Sequence, residues 1–248
     1  MRKSETHTGP VKTNYQLTHP KTDISSHLDR SCDPSLKPNI HRTLMKKRKA
    51  LLSVFDDDKG EKLVEFAKAL IELGFDIISS GGTFKFLKAA GIEVTDVETI
   101  TGYPPVLKHK VVTLAAPLHG GLLASADQAQ ELEKLNWPKI DLLLVTFYPL
   151  ERAMSADGAT LDSCLMSCDI GGPTMIRSAN KGGEVIVLTS MKQTTPAVEW
   201  IKKGEPDRRT VLDVLRGKAE RTVAEYIKLS ADVHSEHTDL HAAVQHGL

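Results

Sequence analysis

Residues Leu51 to Val94 read LLSVFDDDKGEKLVEFAKALIELGFDIISSGGTFKFLKAAGIEV, and this stretch decides the fold. Leu51-Leu52-Ser53-Val54-Phe55 is a short apolar run of the kind buried in a sheet. A polar loop follows, Asp56 to Gly60. Leu63, Phe66, Ala67, Leu70 and Ile71 then recur at helical spacing, with Glu65, Lys68 and Glu72 on the other side. Gly74 closes that helix. Asp76 to Ser79 is a second strand, and Ser80-Gly81-Gly82-Thr83 turns into a second helix carrying Phe84 and Leu87. Ile92-Glu93-Val94 is a third strand. The order is β-α-β-α-β, which predicts an α/β fold: a mainly parallel sheet between two layers of helices.

Outward from this core, Ile140 to Thr146 is a strongly apolar strand expected at the sheet centre. Glu184 to Thr189 is the last strand. Residues 96–127 carry little periodicity and read as a long, loop-rich segment, which in a compact domain points to function. Helices are expected over 128–135, 161–168, 197–203 and 209–229. The domain spans residues 49–190, followed by a helical extension over 191–248 whose His-rich end frays. Residues 1–48 are rich in Ser, Thr, His, Pro, Lys and Asn and predict a disordered tail. The tail ends in a basic cluster, Lys46 to Lys49, which reads as a solvated run ahead of the first strand rather than a nucleic-acid patch or targeting address.

Formal net charge is zero over 248 residues, which gives no electrostatic reason to expect nucleic acid or a membrane surface as partner. No apolar run reaches spanning length. Three cysteines, Cys32, Cys164 and Cys168, are too few for a disulfide framework and lack partners at zinc-ligand spacing. A reducing, cytoplasmic setting fits, and no metal is expected.

Four features follow strands and so fall on one rim of the sheet, where open α/β proteins bind ligands. The first is the Asp57 loop. The second is Ser80-Gly81-Gly82-Thr83, whose open N–H groups and hydroxyls suit a phosphate at a helix start. The third is Tyr148, fixed by Pro149. The fourth is Asp169 to Lys181, D-I-G-G-P-T-M-I-R-S-A-N-K, a carboxylate on a double-glycine turn into a helix. Each also has a structural explanation: a capped turn, a half-buried tyrosine, a solvated lysine at a helix end. His119, ahead of Gly120-Gly121, is more often structural than catalytic. Asp169 and Lys181 would lie about 18 Å apart on a straight helix, so sharing one substrate requires a bend.

The S-S-G-G-T, T-G-Y-P, H-G-G, F-Y-P-L and D-I-G-G-P-T-M-I-R-S-A-N-K segments, in this order and spacing, resemble the IMP cyclohydrolase domain of the bifunctional purine-biosynthesis protein PurH, a methylglyoxal-synthase-like fold. The resemblance covers about residues 50–190, and the formyltransferase half has no counterpart. It implies closure of the purine ring of 5-formamidoimidazole-4-carboxamide ribonucleotide to IMP with loss of water. It implies no cofactor, a purine-nucleotide substrate and a homodimer, with a separate formyltransferase as a candidate partner. It carries Ser80, Gly81, Gly82 and Thr83 over as the phosphate loop, and Asp169, Ile170 and Gly171 as the base-contacting turn. It carries Tyr148 and Lys181 over as catalytic tyrosine and lysine, Asp169 acting as proton acceptor and Lys181 as donor. Lys110, Thr113 and Thr146 fall on further substrate-contacting positions.

Departures are concentrated at charged positions. The family's S-V-S-D-K-T-G is here S-V-F-D-D-D-K-G, so a serine becomes Phe55 and the lysine becomes Asp57, unless Lys59 replaces it from a longer loop. G-R-V-K-T-L-H-P becomes His109 to Ala116: the arginine is Lys110, the second lysine Val112, the histidine Ala115. Thr146 stands for an asparagine. Losing one charged donor from such a site costs on the order of 3 kcal/mol in barrier. The alternatives are therefore a purine-nucleotide-binding relative with weakened or no catalysis and, further off, a methylglyoxal-synthase-type lyase.

Overall fold

A computed structural model describes residues 47–236. Residues 1–46 and 237–248, with Cys32, Lys46 and the His-rich end, lie outside the described residues. In chain order the elements are β1 (Arg48–Ser53), α1 (Glu61–Glu72), β2 (Phe75–Ser79), α2 (Gly81–Ala89), β3 (Val94–Asp96), α3 (Glu98–Thr101), α4 (Ala116–Leu123), α5 (Ala129–Lys134) and β4 (Leu142–Val145). Then come α6 (Leu150–Met154), α7 (Leu161–Met166), α8 (Gly171–Gly182), β5 (Ile186–Leu188), α9 (Thr194–Lys202) and α10 (Arg208–Glu236).

The five strands are all parallel, in the order β3-β2-β1-β4-β5. Alternation along the central strands decides which helices cover which face. Leu52, Leu142 and Leu144 point into a core shared with α1 (Leu63, Phe66, Leu70) and α9 (Val198, Ile201). Leu51, Leu143 and Val145 point the other way, onto α4 (Leu118, Leu122), α8 (Met175, Ile176, Ala179) and α10 (Ala219, Val223). Burying one such leucine contributes about 1.5–3 kcal/mol, so two dry faces explain why Ala50–Leu52 of β1 and the whole of β4 are apolar.

The expected strands are present, with ends shifted by up to three residues. The basic cluster is drawn into the fold: β1 begins at Arg48, Lys47 and Lys49 both pair with Asp76, and Arg48 pairs with Glu205 and lies 4.4 Å over the Phe75 ring.

The expected long loop over 96–127 is corrected in part by α4. Its sequence, APLHGGLL, is apolar almost all round and interrupted by two glycines, so it shows no amphipathic period. The glycines are packing sites. A side chain at Gly120 would strike the Trp137 ring, and one at Gly121 the Pro138 carbonyl. Helix α6 also went unpredicted, being five residues long. Among the described residues no helix is long and apolar enough to cross a membrane.

Candidate functional site

Sequence-adjacent strands run outward from β1 to β3, and the chain then crosses back to place β4 on the other side of β1. The carboxyl ends of β1 and β4 therefore bound the switch-point crevice in which open α/β sheets take ligands.

On one side of the crevice is the start of α2. Gly81 there has φ +50°, a conformation that disfavours any side chain. Two hydroxyls of the Ser79–Thr83 turn are spent on β1. Ser79 Oγ donates to the Leu52 carbonyl at 2.7 Å, and Thr83 Oγ1 exchanges 3.1 Å hydrogen bonds with the carbonyl and N–H of Val54. Thr83 is thus a strap between β1 and α2, which corrects the expectation that its hydroxyl is a free ligand donor. Ser80, the residue capping α2, is 8% exposed and its hydroxyl bonds no described residue. Lys59 reaches this point from the loop after β1: a side chain on Gly82 would collide with its ammonium, which is paired with Asp56.

On the other side is the Asp169 turn. Gly172 N–H donates to Asp169 Oδ1 at 2.9 Å, so the carboxylate caps α8. A Cβ on Gly172 would sit 2.7 Å from Asp169 Oδ2 and 3.0 Å from the Phe147 ring, which is why glycine is required there. Burial pushes the Asp169 carboxyl above the ordinary carboxylate range, against the pull of the Gly172 and Gly171 N–H groups. Thr113 packs its hydroxyl against Gly171, and the Ile170 side chain is exposed beside it. The Asp169 N–H donates to the Tyr226 hydroxyl at 2.8 Å, and Tyr226 stacks on Phe147 with ring centroids 4.8 Å apart. Burial raises the Tyr226 pKa to about 12, so it stays protonated across the working range. Tyr226, 57 residues from its partner, is a site element that sequence reasoning missed. Its one signal was an aromatic residue on the buried face of the long C-terminal helix.

Between these two ends lie β1 and β4 themselves. Thr146 Oγ1 accepts from the Phe55 N–H at 2.9 Å. Tyr148 is exposed, its ring 5.0 Å from that of Phe55. Arg152 lies 5.9 Å from the Phe55 ring centre and pairs with Asp57 at 2.5 Å. The two substitutions at this rim, Phe55 and Asp57, therefore make a local contact set with Tyr148 and Arg152.

Four further residues singled out in the sequence, Lys181, Lys110, Val112 and His119, are placed as follows. Lys181 is exposed in the last turn of α8, which runs unbroken from Gly171 to Gly182. No bend brings it back: the helix from Gly171 to Lys181 alone rises about 15 Å. The helix ends at the opposite edge of the sheet, where Glu184 pairs with Lys139 ahead of β4 and β5. Within one copy of the chain, the bend that Asp169 and Lys181 would need to share one substrate is absent. Lys110 is exposed beyond Leu107, Lys108 and His109, three successive residues of positive φ. Val112 packs against the core instead of facing ligand. His119 is structural: Nδ1 lies 2.8 Å from Ser178 Oγ, Nε2 is buried without a partner, and desolvation lowers its pKa. Cys164 and Cys168 are free thiols. Among the described residues no cluster of three His, Cys, Asp or Glu is placed to hold a metal ion. Cavities of about 120 Å³ between α1 and α9 and about 180 Å³ beside Trp137 lie away from this rim.

The fold is that of an open parallel α/β protein with a crevice at its switch point. Residues 62–174 match the family model of the MGS-like domain. The chain is related to the N-terminal IMP cyclohydrolase region of PurH. It is 39% identical over 160 residues to the bifunctional purine biosynthesis protein PurH of Thermoanaerobacter sp. (strain X514), covering 63% of this chain and 31% of that protein. To PurH of Listeria monocytogenes serotype 4a (strain HCC23) it is 36% identical over 191 residues, covering 73% and 37%. The chain thus spans about a third of the length of these relatives. The crystal structure of ForH superposes with a TM-score of 0.61 at 26% identity, covering 76% of this chain and 99% of that one.

Proposed function

We propose that this chain is an IMP cyclohydrolase that closes the ring of 5-formamidoimidazole-4-carboxamide ribonucleotide at the β1–β4 crevice. One observation carries the proposal. The α2 start, with Lys59 and an unspent Ser80 hydroxyl, and the Asp169 turn flank the same switch point, in the region shared with PurH. The 5′-phosphate binds at the α2 start, where helix N–H groups and the lysine favour an anion. The base lies toward Asp169 to Gly171. The carboxamide nitrogen attacks the formyl carbon, and Asp169 accepts the amide proton. Its buried carboxyl, held above the ordinary range, is the stronger base for that position. Tyr148, exposed at the rim, hydrogen-bonds the formyl oxygen, which leaves as water with one proton from the carboxamide nitrogen and one from the formamide nitrogen. Lys181 has no part within one copy of the chain. The setting is cytoplasmic.

The test follows IMP formation from the formamido ribonucleotide with purified protein, and Asp169→Asn as the variant. The expected result is a rate above uncatalysed closure that falls at least a hundredfold in the variant, equivalent to about 3 kcal/mol. A wild-type rate equal to the uncatalysed one refutes the proposal. The second reading, a nucleotide-binding relative without catalysis, is favoured by the placement of Lys181 and by Val112, partly buried against the core. IMP binding without turnover would select it.

A further inference from the structure

Helix α2 presents a partial positive charge at its start. An ammonium group is repelled from such a place unless an anion accompanies it. Lys59 is nonetheless seated there, with a side chain only 15% exposed and its Nζ overlapping the space a Gly82 side chain would fill. The accompanying anion is Asp56, three residues earlier. Its carboxylate pairs with Lys59, and its Oδ1 is 3.8 Å from the same point on Gly82. Asp56 is itself 79% exposed, and Lys59 is the one hydrogen-bond partner of its carboxylate among the described residues. The second mark of a ligand is Ser80, more than nine-tenths buried, with a hydroxyl that bonds no described residue.

We propose that Asp56 is a built-in competitor for the phosphate end of the site. In the empty protein its carboxylate occupies the anion position above α2 and holds Lys59 there. A phosphate monoester displaces it and takes over Lys59, the Ser80 hydroxyl and the open N–H groups of Gly81 and Gly82. A monoester near neutral pH brings about −1.5 to −2 charges and three acceptor oxygens against one charge and two oxygens on Asp56, so the exchange favours the ligand. Lys59 is the cation of the site, supplied from a lengthened loop. The proposal rests on the phosphate placement made above, and it concerns the phosphate alone, whatever base the ligand carries.

Calorimetric titration with ribose 5-phosphate, IMP and inosine tests it, using the wild type, Asp56→Asn, Lys59→Met and the double variant. Thermal melting checks that each variant is folded. Asp56→Asn is expected to tighten both phosphate esters by about threefold or more. Lys59→Met should weaken both by about tenfold. In the Lys59→Met background the Asp56 change should have no effect, because its partner is gone. Inosine, without a phosphate, should respond to neither. Unchanged or weaker binding in Asp56→Asn overturns the proposal. So does wild-type affinity in Lys59→Met, or absence of ribose 5-phosphate binding by the wild type at millimolar concentration. Lys59-dependent binding of ribose 5-phosphate with no preference for IMP and no ring closure would uphold the exchange and defeat the purine assignment.

Discussion

At the scale of single residues, Asp169 joins the architecture to the chemistry. Its carboxylate caps α8 and its N–H is tied to Tyr226, so it is a buried ionisable group with structural work of its own. Because burial raises its pKa in the folded state, the native protein holds more protons than the unfolded chain between about pH 4 and that raised value. Stability therefore falls as pH rises through this window, and the deficit persists above it. Asparagine keeps the acceptor oxygen and removes the charge. Asp169→Asn is expected to melt at or above the wild-type temperature at pH 7, with the difference closing as pH is lowered toward 4. Melting curves across that range check it, and an equal loss of stability at every pH would show that burial of the charge carries no cost. Legibility at this scale was uneven. Asp169 and Ser80 could be picked out because each follows a strand end. That Thr83 is spent on Val54, or that Tyr226 reaches Asp169, depends on partners 29 and 57 residues away that no local pattern encodes.

Among the elements, α8 and α10 offer two glycines with opposite consequences. Gly172 in the first turn of α8 has no room: alanine there meets Asp169 Oδ2 and the Phe147 ring. Gly172→Ala is expected to cost about 1–3 kcal/mol in urea unfolding, because a rigid ring and a capped carboxylate must both shift. Gly217 lies inside α10, where a Cβ would meet only the end of the Arg221 side chain at 3.8 Å. Gly217→Ala is expected to stabilise by about 0.5–1 kcal/mol, the helix-propensity difference. The same urea series reads both, and two changes of the same sign would refute the distinction. The strands were readable because both faces are buried over Ala50–Leu52 of β1 and throughout β4, which leaves apolar runs. Helices α1 and α10 were readable from their period. Helix α4 was not, since a short helix packed on several sides has no polar face to mark it. The bend that a substrate shared by Asp169 and Lys181 would require is absent from α8, because Gly171 and Gly172 sit at its first turn and not within it.

For the molecule as a whole, the edge of the sheet opposite the crevice is held by charges. Glu205 is 13% exposed and pairs with both Arg48 of β1 and Arg208 of α10, while Arg208 donates to the Glu184 carbonyl at 2.8 Å. Glu205→Gln leaves two half-buried guanidinium groups without their carboxylate. A loss of roughly 1–3 kcal/mol is expected, or a melting point lower by about 2–4 °C per kcal/mol for a chain of this size. Scanning calorimetry checks it, and an unchanged melting temperature would mean that the network is neutral. The strand order has a further consequence, for the making of the protein. Lys49 and Asp141 meet from 92 residues apart, so β1 gains its second neighbour only after that length of chain has been synthesised. At about 5–20 residues per second this takes roughly 5–20 seconds. During that time Leu51 and Leu52 present an open, apolar strand edge to the cell. Ribosome-stalled chains ending before Asp141 should therefore recruit chaperones or aggregate, and chains long enough to free Leu188 from the ribosome should not. Equal behaviour of the two would mean that β1 is shielded before β4 arrives.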